Sequence, residues 1–134
     1  MVIKGLNMKK IKTLLVANRG EIASRVFASC RELGIKTVAV FSKYDASLQF
    51  VKDADKAVLL EGETLKDTYL SIDKILKIAQ EYKVDAIHPG YGFLSENSTF
   101  ADAVTNRELS LLDQAAKTFM PWAIKVHQKF FYSP

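Results

Sequence analysis

Apolar positions along the chain alternate between short continuous runs and helical stripes. Residues 13–17 (TLLVA) form the first run and lead straight into Asn18-Arg19-Gly20. A short apolar run, a glycine turn and an amphipathic stretch make the first half of a βαβ unit. Ile22, Val26, Phe27, Cys30 and Leu33 then share one face of a helix predicted over residues 21–33, with Gly34 placed to end it as a C′ glycine. Glu21 falls in the first turn, where a negative charge suits the helix dipole. Residues 37–41 (TVAVF) are β-branched and apolar on both faces, as in a strand buried within a parallel sheet. Residues 42–46 read as a turn, Leu48, Phe50 and Val51 as a short helical or irregular piece, and residues 57–60 as a third strand. After a polar loop, Ile72, Ile75, Leu76, Ile78 and Ala79 stripe a second helix, with Ser71 or Asp67 as its cap. The fourth strand, residues 85–88, stops at Pro89, which cannot donate to a ladder. Residues 100–104 read as a further helix, with Ser98 or Asn106 as candidate caps.

Strands alternating with helices predict an α/β fold, an open parallel sheet with right-handed crossovers and strand order 3-2-1-4. The order reverses between strands one and four. A ligand crevice is therefore expected between the loop at residues 18–21 and the loop at residues 89–97.

Two loops carry the candidate chemistry. Asn18-Arg19-Gly20-Glu21 holds one glycine and no dinucleotide fingerprint. It reads either as a simple turn with an Arg19–Glu21 pairing or as a polar lip that orients groups in the crevice. His88-Pro89-Gly90-Tyr91-Gly92-Phe93-Leu94-Ser95-Glu96-Asn97 is more specific. Its proline and two glycines fix one sharp path and let a ligand or a second backbone approach closely. Phe93 and Leu94 are expected to anchor this loop in the core, and Tyr91 and Glu96 to face the crevice. His88 reads as a base or as a ring hydrogen-bonded to backbone. His88, His127 and Cys30 are too scattered for metal-ligand spacing, and no P-loop or nucleophile elbow occurs.

Composition narrows the class. The 134 residues suit one domain with a real core, and 49% apolar with 25% charged residues is ordinary for a globular protein. The net charge of +4 comes from Lys and Arg scattered among acids, so no nucleic-acid partner is expected. No run is long enough to cross a bilayer, so no membrane partner is expected, and residues 1–7 lack the shape of a signal peptide. The single Cys30 forms no internal disulfide and reads as a buried structural thiol, which fits the cytoplasm or, in a eukaryote, the mitochondrial matrix.

The segments LLVANRGEIASRV, CRELGIKTVAVFS, ADKAVLL, TYLSIDKIL and DAIHPGYGFLSEN together resemble the N-terminal domain of biotin carboxylase. This component is shared by acetyl-CoA, propionyl-CoA, methylcrotonyl-CoA and pyruvate carboxylases. The resemblance covers residues 10–107, after an N-terminal extension of residues 1–9. It implies a Rossmann-like, pre-ATP-grasp sheet and a ligase that uses ATP, Mg²⁺ and bicarbonate to make carboxyphosphate. Biotin on a carrier domain is then carboxylated and serves a carboxyltransferase. It also implies that Asn18, Arg19, Gly20, Glu21, His88, Gly90, Tyr91, Gly92, Glu96 and Asn97 line the edge of the active-site cleft, with Tyr91-Gly92 nearest biotin and bicarbonate. Arg25 matches an arginine of the family's dimer surface. Ala28 stands where a second basic residue is usual, and Phe50 where the family has a histidine.

The ATP-grasp lid and core have no counterpart in these residues. No catalytic residue and no metal ligand is therefore assigned. ATP, Mg²⁺ and biotin are not expected to bind this fragment tightly, and a truncated component, inactive alone, is expected. The alternative is a non-catalytic regulatory module that pairs with an intact carboxylase subunit.

After Arg107 the resemblance stops. Codons for residues 108–125 exist that, read one base back, encode GIIFIGPSCKNIHAMGDK, the continuation the family would have. Residues 108–134 are accordingly read as an out-of-frame tail, with the fifth strand missing, strand four an open edge, and the tail poorly ordered.

Overall fold

Leu14, Leu15, Val16 and Ala17 are all 0% exposed, because the strand they form is covered on both faces. A computed structural model describes residues 11–112 of the protein. Strand β1 (Thr13–Val16) lies at the centre of the sheet. It pairs in parallel with β2 (Lys36–Ser42) on one side and β4 (Ala86–His88) on the other, so that Leu15 sits between Val38 and Ile87. β3 (Lys56–Leu60) flanks β2, and β5 (Ser110–Leu111) flanks β4. The order is β3-β2-β1-β4-β5, which contains the expected 3-2-1-4.

Alternation along β1 divides the core into two layers. Leu14 and Val16 pack with Ala23, Val26, Phe27 and Cys30 of α1 (Gly20–Glu32) and with Phe50 of α2 (Gln49–Asp53). Leu15 and Ala17 pack on the other face with Ile75, Leu76 and Ala79 of α3 (Ile72–Glu81) and with Phe100 and Val104 of α4 (Ser98–Asn106). Helix α1 ends as expected at Gly34, whose φ is 74°. The Ile35 amide donates to the Cys30 carbonyl at 2.8 Å and the Gly34 amide to that of Arg31 at 3.2 Å, the paired bonds of a Schellman motif. Cys30 is buried, and desolvation, aided by the charge of Asp55, pushes its thiol up to about 12. It is the structural thiol expected.

Ser71, rather than Asp67, caps α3 by accepting from the Lys74 amide. Neither expected cap serves α4. Asn97 does, its Oδ1 accepting from the Phe100 amide at 2.9 Å. Ser98 is already the first helical residue and Asn106 the last.

The expectation of a missing fifth strand is corrected. The Ser110 amide donates to the Asp85 carbonyl at 3.1 Å, and that of Leu112 to the Ile87 carbonyl at 2.9 Å. Leu109 and Leu111 pack on the α3 side while Leu112 is buried on the α1 side. That alternation suits a strand at the edge of the sheet, covered on both faces. β4 is therefore an inner strand. The expected tail covers residues 108–134, of which 113–134, with His127, are not described, and neither is the expected N-terminal extension, residues 1–9. No helix among the described residues is long and apolar enough to cross a membrane.

Candidate functional site

The chain leaves β1 at Ala17, whose amide still donates to the His88 carbonyl at 2.9 Å. The next side chain, Asn18, is 5% exposed and turns toward the end of β4. Its Nδ2 donates to the carbonyls of Pro89 at 2.8 Å and Tyr91 at 2.6 Å, and its Oδ1 accepts from the Arg19 amide at 2.8 Å. Gly90 makes this approach feasible. Its φ is 68°, and a Cβ there would stand 2.6 Å from Asn18 Nδ2. The two loops meet as predicted, but they do not face each other across an open crevice. Asn18 fills the switch point and ties them into one block.

The glycine loop then takes a path that few residues tolerate. Gly90 and Gly92 have φ of 68° and Phe93 has φ of 45°. A non-glycine residue in the left-handed region persists only where its surroundings hold it there. Phe93 stacks on Tyr69, centroids 5.1 Å apart and planes 7° from parallel, and Leu94 is buried. Both anchor the loop as expected. Between the anchors Tyr91 is 51% exposed, and Gly92 has open space where a Cβ would be. Glu96 is also exposed, whereas Asn97 is committed to the α4 cap. His88 is buried, and its Nδ1 accepts from the Gly90 amide at 3.0 Å. Of the two readings of His88, the backbone-bonded ring is the one observed.

Arg19 does not pair with Glu21. Glu21 lies within α1 and meets Arg25 one turn on at 3.4 Å, a solvent-exposed pair of little energetic weight. Arg19 instead crosses to Asp45, in the 3-10 turn Lys43–Asp45 after β2. Nε donates to Oδ2 at 2.7 Å and Nη2 to Oδ1 at 2.5 Å. Asp45 also accepts from the Tyr69 hydroxyl at 2.6 Å, and that hydroxyl accepts from the Ser42 amide at 3.1 Å. The Arg19 bond, with help from Tyr69, holds the Asp45 carboxyl below the usual carboxylate range and raises the guanidinium. Burial, then the bond to Asp45, pushes the Tyr69 phenol up to about 12. Sequence reasoning singled out neither Asp45 nor Tyr69. The available signal was an acidic residue just past the carboxyl end of β2, on the same edge as Arg19.

The open space at this edge lies beside the block. A cleft of about 240 Å³ is lined by Arg19, Asp45, Tyr69, Tyr44, Glu63 and Thr68. Lys43 and Tyr44 both bond to Glu63 at its rim. Among the described residues no three His, Cys, Asp or Glu side chains gather as a metal site.

The family model described as "Biotin carboxylase, N-terminal domain" matches residues 10–118. The chain is 51% identical over 102 residues to human mitochondrial pyruvate carboxylase, covering 75% of this chain and 9% of that protein. It is 52% identical over 92 residues to biotin carboxylase 1 of Bacillus subtilis, covering 69% of this chain and 20% of that protein. The biotin carboxylase domain dimer of Hydrogenobacter thermophilus 2-oxoglutarate carboxylase, solved with magnesium ADP, ADP and bicarbonate, matches with TM-score 0.73 at 46% identity, covering 75% of this chain and 22% of that one. Kluyveromyces lactis urea carboxylase matches with TM-score 0.74 at 40% identity, covering 87% of this chain and 10% of that one. The chain thus spans a small part of each relative. The match nonetheless runs from before β1 to past β5, and the chain belongs to the biotin carboxylase N-terminal domain family.

Proposed function

We propose that these residues form one wall of a biotin carboxylase active site and present the Tyr91–Gly92 tip to biotin and bicarbonate in the assembled enzyme. The observation that carries this reading is the tip itself. It is exposed, glycine-bearing and held from both sides by Asn18 and Tyr69. In the family reaction, ATP with Mg²⁺ activates bicarbonate as carboxyphosphate, and the carboxyl group passes to biotin on a carrier domain that serves a carboxyltransferase. Bicarbonate and magnesium ADP in the Hydrogenobacter relative support that chemistry here.

The contribution of these residues is placement. Asn18, Gly90 and His88 set the path of the loop, Arg19 and Gly20 turn the chain into α1, and Glu21 and Glu96 stand at the rim. The 134 residues contain no ATP-grasp sequence, and the described ones gather no metal-ligating cluster. In this reading ATP, Mg²⁺ and biotin are held by other parts of the assembled enzyme, and these residues alone are expected not to turn over. A reducing compartment, cytosol or mitochondrial matrix, suits the reading, and the human relative is mitochondrial.

The test is bicarbonate-dependent ATP hydrolysis. It is measured on the chain alone and on a chimera in which residues 10–112 replace the matching segment of the Bacillus biotin carboxylase. The expected result is no turnover alone, turnover in the chimera, and strong loss on Gly92→Val. A folded, ATP-binding chimera that is inactive, or one indifferent to Gly92→Val, overturns the reading.

A second reading is a non-catalytic module that pairs with an intact subunit. The Hydrogenobacter relative is a dimer, and α1 presents the exposed Arg25 and Ala28. Co-purification with an intact carboxylase subunit supports it, and a chain that stays monomeric in the presence of one removes it.

A further inference from the structure

Tyr69 lies in none of the segments that meet the exposed tip, yet contacts from the carboxyl-edge loops converge on it. Its ring lies flat against Phe93 of the β4 loop. Its hydroxyl bonds to Asp45 of the β2 loop, which holds Arg19 of the β1 loop. The neighbour of Arg19, Asn18, grips the carbonyls of Pro89 and Tyr91. These contacts close into a ring whose two ends are the two sides of the tip.

We propose that Tyr69 is a positioning residue for the Tyr91–Gly92 tip, acting through Phe93, with Asp45 fixing Tyr69 by its hydroxyl. The functional importance of the tip rests on the reading above, but its positioning does not. Phe93 is not a glycine and sits at φ 45°, a conformation retained only when packing over-determines it. Asn18 secures the Pro89 side of the tip by hydrogen bonds, and on the far side the ring of Tyr69 stacks on Phe93 beside the buried Leu94. The stacked geometry supplies orientation as well as contact area, because an offset aromatic pair constrains the tilt of the Phe93 ring and so its backbone.

The experiment is amide hydrogen exchange on the full chain with Tyr69→Leu, Tyr69→Phe and Phe93→Leu. The reporters are the Ser95 amide, which donates to the Gly92 carbonyl at 2.9 Å, and the Gly90 amide, which donates to His88 Nδ1. Leu15 and Val16 in β1 are the reference. Tyr69→Leu and Phe93→Leu should each speed Ser95 exchange about tenfold while β1 changes by less than about twofold. Tyr69→Phe, which keeps the ring, should restore most of the protection. Unchanged Ser95 exchange, or a rise shared equally with β1, overturns the proposal, since the second marks Tyr69 as core filling alone.

In the active chimera, Tyr69→Leu should lower kcat and leave the KM for ATP in place. A chimera that never turns over defeats the functional reading and leaves the exchange result standing.

Discussion

Arg19 and Asp45 meet side-on, two nitrogens of the guanidinium against both oxygens of the carboxylate, at 2.7 and 2.5 Å. The side chain of Asp45 is 6% exposed and that of Arg19 is 44% exposed. The carboxylate is thus the desolvated partner and depends on the pair, while the guanidinium keeps part of its water.

Asp45→Asn is expected to cost about 2 kcal/mol, the range for a hydrogen bond to a charged group, moderated because Arg19 stays partly hydrated. The folded-state pKa of Asp45 is depressed. The stabilisation it contributes is therefore fully present above its unfolded value near the usual carboxylate range, and is lost as pH falls through the lower folded value. Urea midpoints taken from pH 7 downward should show an acid limb that Asp45→Asn reduces. An unchanged limb would show that the pair is not coupled to folding.

Asn18→Ala leaves the Pro89 and Tyr91 carbonyls without their donor and should cost about 2–3 kcal/mol. Gly90→Ala should cost about 1–3 kcal/mol from the left-handed backbone and the clash with Asn18. The two should not add. Removing the Asn18 side chain removes the clash, so the double variant is expected to be more stable than the sum of the singles. Denaturant unfolding of all four proteins measures this directly.

Cys30 should be inert to a water-soluble disulfide reagent in the folded protein and react at the ordinary rate once unfolded. Its thiol and the Tyr69 phenol are both pushed up to about 12 by burial. Both favour folding below their unfolded values, and that stability is lost as pH rises through the folded ones. An alkaline limb should therefore begin above about pH 9, the range of a free thiol. A Cys30→Ala variant should lose the earlier part of it.

Leu112→Ala should cost about 2–3 kcal/mol, the low end for a buried leucine, since β5 is short and at the edge. Leu112 is 2% exposed. The Ser110 and Leu112 amides, bonded to β4, should be protected from exchange. Exchange at the rate of a free peptide would mean that β5 is not formed.

The sheet order and the helices were legible because they rest on local periodicity. β1 had to be continuously apolar to be covered on both faces, and Gly34 had to be glycine-like to end α1. The partner of Arg19 was not legible. Glu21 is two residues away but within the helix, where residues so spaced do not face each other, while Asp45 reaches Arg19 only once β2 lies beside β1. That the loops after β1 and β4 meet was legible, yet only tertiary contact reveals that Asn18 joins them. Asn97 was missed as a cap because three polar residues competed and only geometry selects among them. β5 was missed because the residues after Arg107 were read as an out-of-frame tail, although Leu109, Leu111 and Leu112 keep the alternation a strand needs.

The bridge from Asn18 to Pro89 spans 71 residues of chain, and contacts so distant form late because loop closure must come first. Nearly the whole sheet, β4 included, has to assemble before Asn18 finds its acceptors. The Tyr91–Gly92 tip is therefore expected to be among the last parts of the fold to take its path. In pulse-labelled refolding, the Ser95 amide should gain protection after that of Val38, since β1 and β2 are joined by a much shorter segment. A partly folded chain with a well-formed nucleus of β1, α1 and β2 would not yet hold the Tyr91–Gly92 tip on its folded path, since the Asn18 bond to the Tyr91 carbonyl spans the same long stretch of chain.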